Sequence, residues 1–147
     1  MLYLTSDHGG FRIKETIKNY LKKRDIQYID LGPFALDPAD DYPLYAQEMA
    51  KAVVENYSKG IAICKTGVGI AIALNKFDGI RAGEAHSMEE AKLSRTDDNT
   101  NVLVFGAKDF DPKVSFNIID TWLNTGFSGE ERHVRRLGEI KKYEEEN

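Results

Sequence analysis

The residues best suited to chemistry lie where an apolar run ends in the chain's single cysteine and passes into a glycine-rich turn, Gly60-Ile-Ala-Ile-Cys64-Lys65-Thr66-Gly67-Val68-Gly69. Glycines after a buried strand let the backbone turn tightly and present its N–H groups to an anion. A thiol that could act as a base or nucleophile therefore lies beside a potential phosphate or oxyanion cradle. Such turns are common in α/β proteins, and a lone cysteine is more often a small buried residue, so both interpretations stand here.

Other charged groups occur in pairs that suit a sugar or a phosphate. Asp7 and His8 follow the first apolar run, where such a pair is more often a helix cap with a polar surface neighbour. Arg132 and Arg136 share a helix face at i, i+4 spacing, and the planar guanidinium suits a phosphate. The ordinary alternative is an exposed basic cap that balances neighbouring glutamates.

Metal and dinucleotide sites are not predicted. The three histidines, His8, His86 and His133, do not share a short ligand spacing. The turn His8-Gly9-Gly10-Phe11 also differs from the G-x-G-x-x-G pattern that holds a pyrophosphate. The expectation is an activity that uses neither a metal nor a cofactor.

The elements that must position these residues follow from alternating apolar runs and amphipathic stretches of helical length. Strands are predicted at Leu2–Thr5, Tyr28–Leu31, Ile61–Cys64, Ile80–Gly83 and Val102–Phe105, and helices at Phe11–Arg24, Pro43–Asn56, Val68–Lys76, Ser87–Arg95 and Pro112–Asn124. Because parallel neighbours require right-handed crossovers, the prediction is an α/β fold: a Rossmann-like three-layer αβα sandwich around a five-stranded parallel sheet. Ligands of such sheets gather at the carboxyl ends of the strands.

A charged helix is predicted at the C-terminus. Its apolar positions Val134, Leu137, Ile140 and Tyr143 are spaced for one helix face, so we expect it to pack on a second subunit. The last residues, Lys141 to Asn147, are expected to form a solvated, fraying end.

Composition sets the broad class. The 147 residues, 41% hydrophobic and 30% charged, suit a single domain over residues 1–147. A net charge of −4 without a basic run argues against nucleic-acid and membrane-surface binding. One cysteine allows no intrachain disulfide, and the N-terminus lacks the features of a signal peptide. We therefore expect a cytoplasmic protein.

Several short motifs occur in order over nearly the whole chain: Ser6-Asp7-His8-Gly9-Gly10-Phe11, Asp30-Leu31-Gly32, Asp41-Tyr42-Pro43-Leu44-Tyr45-Ala46, Ile63 to Gly69, Asn75-Lys76, Gly79-Ile80-Arg81-Ala82, Asn101-Val102-Leu103, Gly106-Ala107 and Arg132-His133-Val-Arg135-Arg136. Together they resemble the ribose-5-phosphate isomerase B family, which includes the two subunits of galactose-6-phosphate isomerase. The resemblance implies a cofactor-free aldose–ketose isomerase that acts on a phosphorylated sugar through a cis-enediolate. It also implies a homodimer whose sites use residues of both subunits, with a tetramer of two such dimers as the alternative assembly.

The resemblance also assigns roles to residues. Cys64 occupies the position of the base, and Thr66 would help move a proton to an oxygen. Asp7 would bind sugar hydroxyls, His8 would lie near the phosphate or ring oxygen, and Tyr42 would line the sugar. The backbone N–H groups of Gly67, Val68, Gly69, Ile70 and Ala71 would hold the enediolate, and Arg132, Arg136, His133 and Lys108 would bind the phosphate.

The sequence departs from the family at three places. Lys65 replaces a small residue, and Ile70 stands where some members have a glutamate base. Where the family usually has Arg-Glu-His-Asn-Asp-Ala-Asn, this chain has Asp97 and Asp98 in place of the ring-opening histidine and the next asparagine. An aspartate does not readily offer a proton near neutral pH, although Asp97 could act as a base toward the anomeric hydroxyl.

These departures leave the substrate open. Ribose 5-phosphate is the first hypothesis, and allose 6-phosphate, galactose 6-phosphate or a tetrulose phosphate are alternatives. A protein that binds a sugar phosphate without turnover is the alternative from a different functional class.

Overall fold

The apolar runs form five parallel strands in a computed structural model that describes all residues 1–147. They are β1 (Leu2–Ser6), β2 (Tyr28–Asp30), β3 (Lys59–Cys64), β4 (Ala82–Glu84) and β5 (Val102–Gly106), in the spatial order β2-β1-β3-β5-β4. The central strands β1, β3 and β5 are buried almost throughout. Strands covered on both faces need apolar residues at every position, which is why these runs do not alternate.

Six helices connect and cover the strands: α1 (Phe11–Lys23), α2 (Tyr42–Glu55), α3 (Val68–Leu74), α4 (Met88–Thr96), α5 (Pro112–Asn124) and α6 (Glu131–Glu146). Their starts have local causes. The Ser87 hydroxyl accepts a hydrogen bond from the Glu90 N–H, and the Asp111 carboxylate accepts one from the Lys113 N–H. Pro112 occupies the first turn of α5, where its missing N–H costs nothing.

The core has two halves, one on each face of the sheet. One contains Leu4, Ile61 and Leu103 with apolar residues of α1, α4 and α5, and the other contains Ala62, Cys64 and residues of α2 and α3. The predicted α/β class and the parallel three-layer architecture are confirmed. The fourth strand starts two residues later and ends one residue later than predicted, and it starts late because the Arg81 N–H bonds to the Asn101 side chain instead of to a neighbouring strand.

The strand register determines which residues meet at the carboxyl edge of the sheet. Ser6 pairs with Ile63, and Cys64 pairs with Gly106. The ends of β1, β3 and β5 therefore lie side by side. After β1 the chain crosses to β2, on one side of the sheet, and after β3 it crosses to β4, on the other side. The crevice between β1 and β3 is therefore the topological switch point, where ligands of such sheets bind.

A buried ion pair holds the loop after β2 against the sheet. The Lys14 ammonium is fully buried, lies 2.7 Å from the Asp30 carboxylate and donates to the Pro33 carbonyl. Asp30 also accepts from the Gly32 N–H and from Lys18. Burial lowers the pKa of Lys14, and the hydrogen bond to Asp30 opposes that change.

Helix α6 corrects one expectation. The predicted fraying end is wrong, because the helix continues to Glu146 and the Glu144 carboxylate accepts a hydrogen bond from the Gly79 N–H. On its apolar face, Val134, Ile140 and Tyr143 are exposed. Leu137 and Ile140 line a cavity of about 650 Å³ beside β4.

None of the six helices is both long enough and apolar enough to cross a membrane.

The Lys14–Asp30 pair can be tested by removing its negative charge. We expect Asp30→Asn to lower the free energy of unfolding by about 3 kcal/mol, because a buried ammonium loses its counterion. Urea denaturation measures this value. The control is Glu145→Gln, which breaks an exposed pair with Lys141 at 4.0 Å and should change the free energy by less than about 0.5 kcal/mol. Equal midpoints for Asp30→Asn and the wild type would contradict the assignment.

Candidate active site

The thiol of Cys64 lies at the end of β3, in the switch-point crevice. Its side chain is buried, and its sulfur accepts a hydrogen bond from the Gly67 N–H at 3.2 Å. Gly67 has a φ of +81°, which L side chains rarely adopt, and this conformation turns the N–H back toward the sulfur. This N–H donor holds the sulfur, the atom of cysteine that can accept a proton, in a fixed position in the crevice.

The turn after Cys64 leaves two N–H groups unused. The Val68 N–H donates to the Thr66 hydroxyl at 3.3 Å, and the Ala71 N–H donates to the Gly67 carbonyl at 3.1 Å. The N–H groups of Gly69 and Ile70 have no partner within the chain. The expected row of five donors is therefore reduced to two that are free to bind an oxyanion, since Gly67, Val68 and Ala71 use theirs internally.

Two side chains press against this turn. A Cβ on Gly69 would lie 2.8 Å from the Tyr42 ring, so only glycine allows the ring to lie this close to the backbone. A Cβ on Gly67 would lie 2.9 Å from the Glu84 carboxyl carbon at the end of β4. Tyr42 thus stands beside the turn, and Glu84 adds a carboxylate.

Asp7 lies across the crevice from the cysteine strand. Its backbone N–H donates to the Ile63 carbonyl at 3.2 Å, and its carboxylate accepts from the Gly10 N–H at 3.1 Å. Burial raises the pKa of Asp7, and the hydrogen bond from Gly10 partly offsets that effect. A buried carboxylate in this position can accept hydrogen bonds from sugar hydroxyls.

His8 forms an ion pair with Asp40. The ring Nδ1 lies 2.6 Å from Asp40 Oδ1, and the same oxygen accepts from the His8 backbone N–H at 2.9 Å. The hydrogen bond to Asp40 raises the pKa of His8, while burial opposes it. Burial tends to raise the pKa of Asp40, but the two hydrogen bonds from His8 lower it below its ordinary value.

One group of side chains has the composition of a metal site. Asp7, His8 and Asp40 each offer a ligand atom, and these atoms lie within 4.8 Å of one another. The hydrogen bond between His8 and Asp40 already uses Nδ1 and Oδ1. We therefore assign the cluster to an ion pair beside a capping carboxylate.

A second set of predicted residues lies at the opposite edge of the sheet. Helix α4 starts after the carboxyl end of β4 and runs antiparallel to the strands, toward their amino ends. Asp97 and Asp98, which follow its last residue, therefore lie at the amino edge of the sheet. The Ser128 N–H donates to the Thr96 carbonyl, which anchors the start of the α6 segment there. His133, with 5% exposure, places Nε2 3.5 Å from Asp97 Oδ1.

The predicted phosphate ligands divide between the two edges. Arg132 is exposed and pairs with Glu130 at 2.6 Å, and Arg136 is exposed without an ion pair. His133 does not stand free beside them, because its ring is buried against Asp97. Lys108 follows β5 at the carboxyl edge, where its ammonium pairs with Asp109 at 2.8 Å.

No hydrogen bond or ion pair joins the residues at the carboxyl edge to those at the amino edge. A five-residue strand spans about 17 Å, so the two sets are separated by roughly the height of the sheet. One copy of the chain therefore does not bring all the predicted residues together.

Sequence reasoning did not assign a role to Asp40 or Glu84. Asp40 lies 32 residues from His8, in a loop with no periodic pattern, and no local sequence pattern predicts their contact. Glu84 had a weak signal, because it directly follows the predicted strand Ile80–Gly83, at the edge of the sheet where functional side chains collect.

Comparison with known proteins identifies the family of this chain. A family model described as ribose/galactose isomerase matches residues 2–140. Ribose-5-phosphate isomerase B of Escherichia coli is 41% identical over 140 residues, which are 95% of this chain and 93% of the relative. The resemblance inferred from the motifs is confirmed.

Solved structures agree in fold. Ribose-5-phosphate isomerase B of Clostridium thermocellum has a TM-score of 0.93 at 38% identity, covering 99% of this chain and 97% of that chain. Ribose-5-phosphate isomerase B of Mycoplasma genitalium, solved with bound ribulose-5-phosphate, has a TM-score of 0.91 at 38% identity, with the same coverage of both chains.

The conformation of Gly67 can be tested by adding a methyl group. We expect Gly67→Ala to lower the free energy of unfolding by about 1–2 kcal/mol, because alanine is strained at positive φ and its Cβ would meet Glu84. Urea denaturation gives the value. Gly126→Ala is the matched control, since its Cβ would have no atom within 4 Å. A loss no larger than that of the control would show that the turn relaxes without strain.

Proposed function

This chain belongs to the ribose/galactose isomerase family, and we propose that it interconverts ribose 5-phosphate and ribulose 5-phosphate through a cis-enediolate. The observation that carries the proposal is the Cys64 thiol, held by the Gly67 N–H beside two unused N–H groups. A base next to oxyanion donors is what proton transfer between two carbons of a sugar requires. The relatives named ribose-5-phosphate isomerase B support this choice of substrate.

In the proposed mechanism, the Cys64 thiolate removes the proton from C2 of the open-chain aldose. Electrons from that C–H bond form the C1–C2 double bond, and the carbonyl oxygen becomes the enediolate oxygen. The Gly69 and Ile70 N–H groups stabilise that negative charge. The Thr66 hydroxyl relays a proton from O2 to O1, and Cys64 returns its proton to C1. Each proton removed is replaced, so the reaction needs neither an oxidant nor a cofactor.

We propose that the active unit is a homodimer in which the amino edge of one copy completes the carboxyl-edge site of the other. Two observations support it. Arg132 and Arg136 are far from Cys64 in one chain, and both guanidinium groups are exposed. The apolar face of α6 is also exposed in the single chain, including Tyr143 at 66%.

Ring opening is assigned to Asp97 acting with His133. The imidazole of His133 lies 3.5 Å from the Asp97 carboxylate, so the ring borders the carboxylate and limits where it can move. Asp97 can accept the proton of the anomeric hydroxyl while His133 keeps the carboxylate in position.

We also propose a cytoplasmic location. The single cysteine is a free thiol that the mechanism needs in reduced form, which agrees with a reducing compartment.

The reaction can be tested by NMR in deuterated water, with ribose 5-phosphate and other pentose, tetrose and hexose phosphates. We expect deuterium at C2 and conversion of ribose 5-phosphate. Cys64→Ser should lower kcat by about 10²- to 10⁴-fold, because the base is lost. Calorimetry should show nearly unchanged ribose 5-phosphate binding to that variant.

Two outcomes would contradict the proposal. Binding without exchange for any sugar in the wild type would identify a sugar-phosphate-binding protein. Exchange with a hexose or tetrose phosphate alone would retain the chemistry and change the substrate.

The shared site can be tested by mixing two inactive variants. Cys64→Ser and the double variant Arg132→Ala/Arg136→Ala should each lose activity. After subunit exchange of an equal mixture, about half of the dimers are mixed, and each has one site with an intact Cys64 and intact arginines. Activity should therefore return to about a quarter of the wild-type value. Light scattering checks the dimer, and no recovery despite exchange would place each site within one chain.

A further inference from the structure

The contact between Asp40 and His8 fixes both the backbone and the ring of one residue. Asp40 Oδ1 accepts from the His8 N–H at 2.9 Å and lies 2.6 Å from the ring Nδ1. The first bond holds the peptide at the end of β1, and the second holds the rotation of the imidazole. A histidine that followed a strand without this partner would be free to sample several rotamers.

The side chains of Asp40 and His8 differ in their exposure to solvent. The Asp40 side chain is 6% exposed, whereas the His8 side chain is 42% exposed. Nδ1 is used by Asp40, and Nε2 has no partner within the chain. The carboxylate is therefore embedded in the protein, while the ring extends into the crevice with one nitrogen available for a ligand.

The position of Asp40 is itself well supported. The loop that carries it is tied to β1 by the Thr5 hydroxyl, which donates to the Gly32 carbonyl at 2.9 Å. The Asp40 N–H donates to the Asp37 carbonyl in a turn, and Asp41 then begins α2. Burial, followed by the hydrogen bond to Asp40, raises the pKa of Tyr45 to about 12, so Tyr45 remains a neutral neighbour of the carboxylate.

We propose that Asp40 is a positioning residue for His8, which orients the imidazole and keeps Nδ1 protonated so that Nε2–H is directed to the phosphate of the substrate. This inference rests on the proposed function, because it assumes that a sugar phosphate enters the crevice. It assigns a role to a residue that the motif analysis left without one. Asp40 would not touch the substrate.

The charges around His8 favour its protonated form. Asp7 and Asp40 lie next to the ring, Asp37 and Tyr45 lie behind Asp40, and Lys65 borders Gly9 on the neighbouring loop. The bond to Asp40 has the largest effect and raises the pKa of His8; Asp7 adds to it and burial opposes it. Loss of Asp40 should therefore lower the pH at which His8 loses its proton.

The direct test is an NMR pH titration of the histidines in the substrate-free protein. We expect His8 to titrate at lower pH in Asp40→Asn than in the wild type. The control Asp37→Asn removes a charge from the same loop, so it should leave the His8 titration nearly unchanged. An unchanged His8 titration in Asp40→Asn would overturn the proposal. Because no substrate is present, failure of the isomerase assignment does not affect this result.

The functional test separates binding from turnover. Above neutral pH, we expect Asp40→Asn to raise KM for ribose 5-phosphate about two- to fivefold, as for a partly exposed charge interaction, with kcat within about twofold. In a His8→Gln background the same substitution should have no further effect on KM. A fall in kcat alone, or an equal effect in the His8→Gln background, would overturn the positioning role. If the wild type shows no turnover, calorimetric binding of ribose 5-phosphate replaces KM.

Discussion

The parallel hydrogen-bonded ladder between β1 and β3 is the constraint on which the site depends. It pairs Ser6 with Ile63, so Asp7, which follows β1, and Cys64, which ends β3, lie at neighbouring points of one edge. A shift of one residue would move every side chain of a strand to the other face and separate this pair. Because both faces of these strands are buried, such a shift would also change which side chains pack in each half of the core, and the register is therefore strongly specified.

Buried charged side chains fix the position of the loop that follows β2. The buried Lys14 ammonium needs Asp30, and this requirement brings the segment after β2 against the sheet. That segment carries Asp40, whose own burial is compensated by His8. One structural ion pair thus supports a second that lies at the site. The sulfur of Cys64 also has a partner within the chain, but this partner is a neutral hydrogen-bond donor, the Gly67 N–H, instead of a cation.

The predicted site residues lie at opposite edges of the sheet, which is why we propose that a second copy of the chain completes the site. Helices that return from the carboxyl edge must end at the amino edge, so Asp97 and the start of α6 cannot reach Cys64 in the same chain. The sulfur of Cys64 and the exposed arginines are both present in one chain, but at opposite edges of the sheet. The apolar face of α6, exposed at Val134, Ile140 and Tyr143, offers a surface through which two copies could combine these halves.

The sequence by itself determined the fold class, five strands and the cysteine–glycine turn, because periodicity and glycine content are local properties of the chain. The motifs that carried the family resemblance are likewise continuous segments. Only the tertiary structure decided which N–H groups near Cys64 are free, since the bonds of Gly67 and Ala71 depend on the detailed turn geometry. It also decided the contacts of His8 with Asp40 and of Asp97 with His133, which join residues more than 30 positions apart. Such pairs depend on how helices and loops pack around the sheet, and no spacing along the chain records that packing.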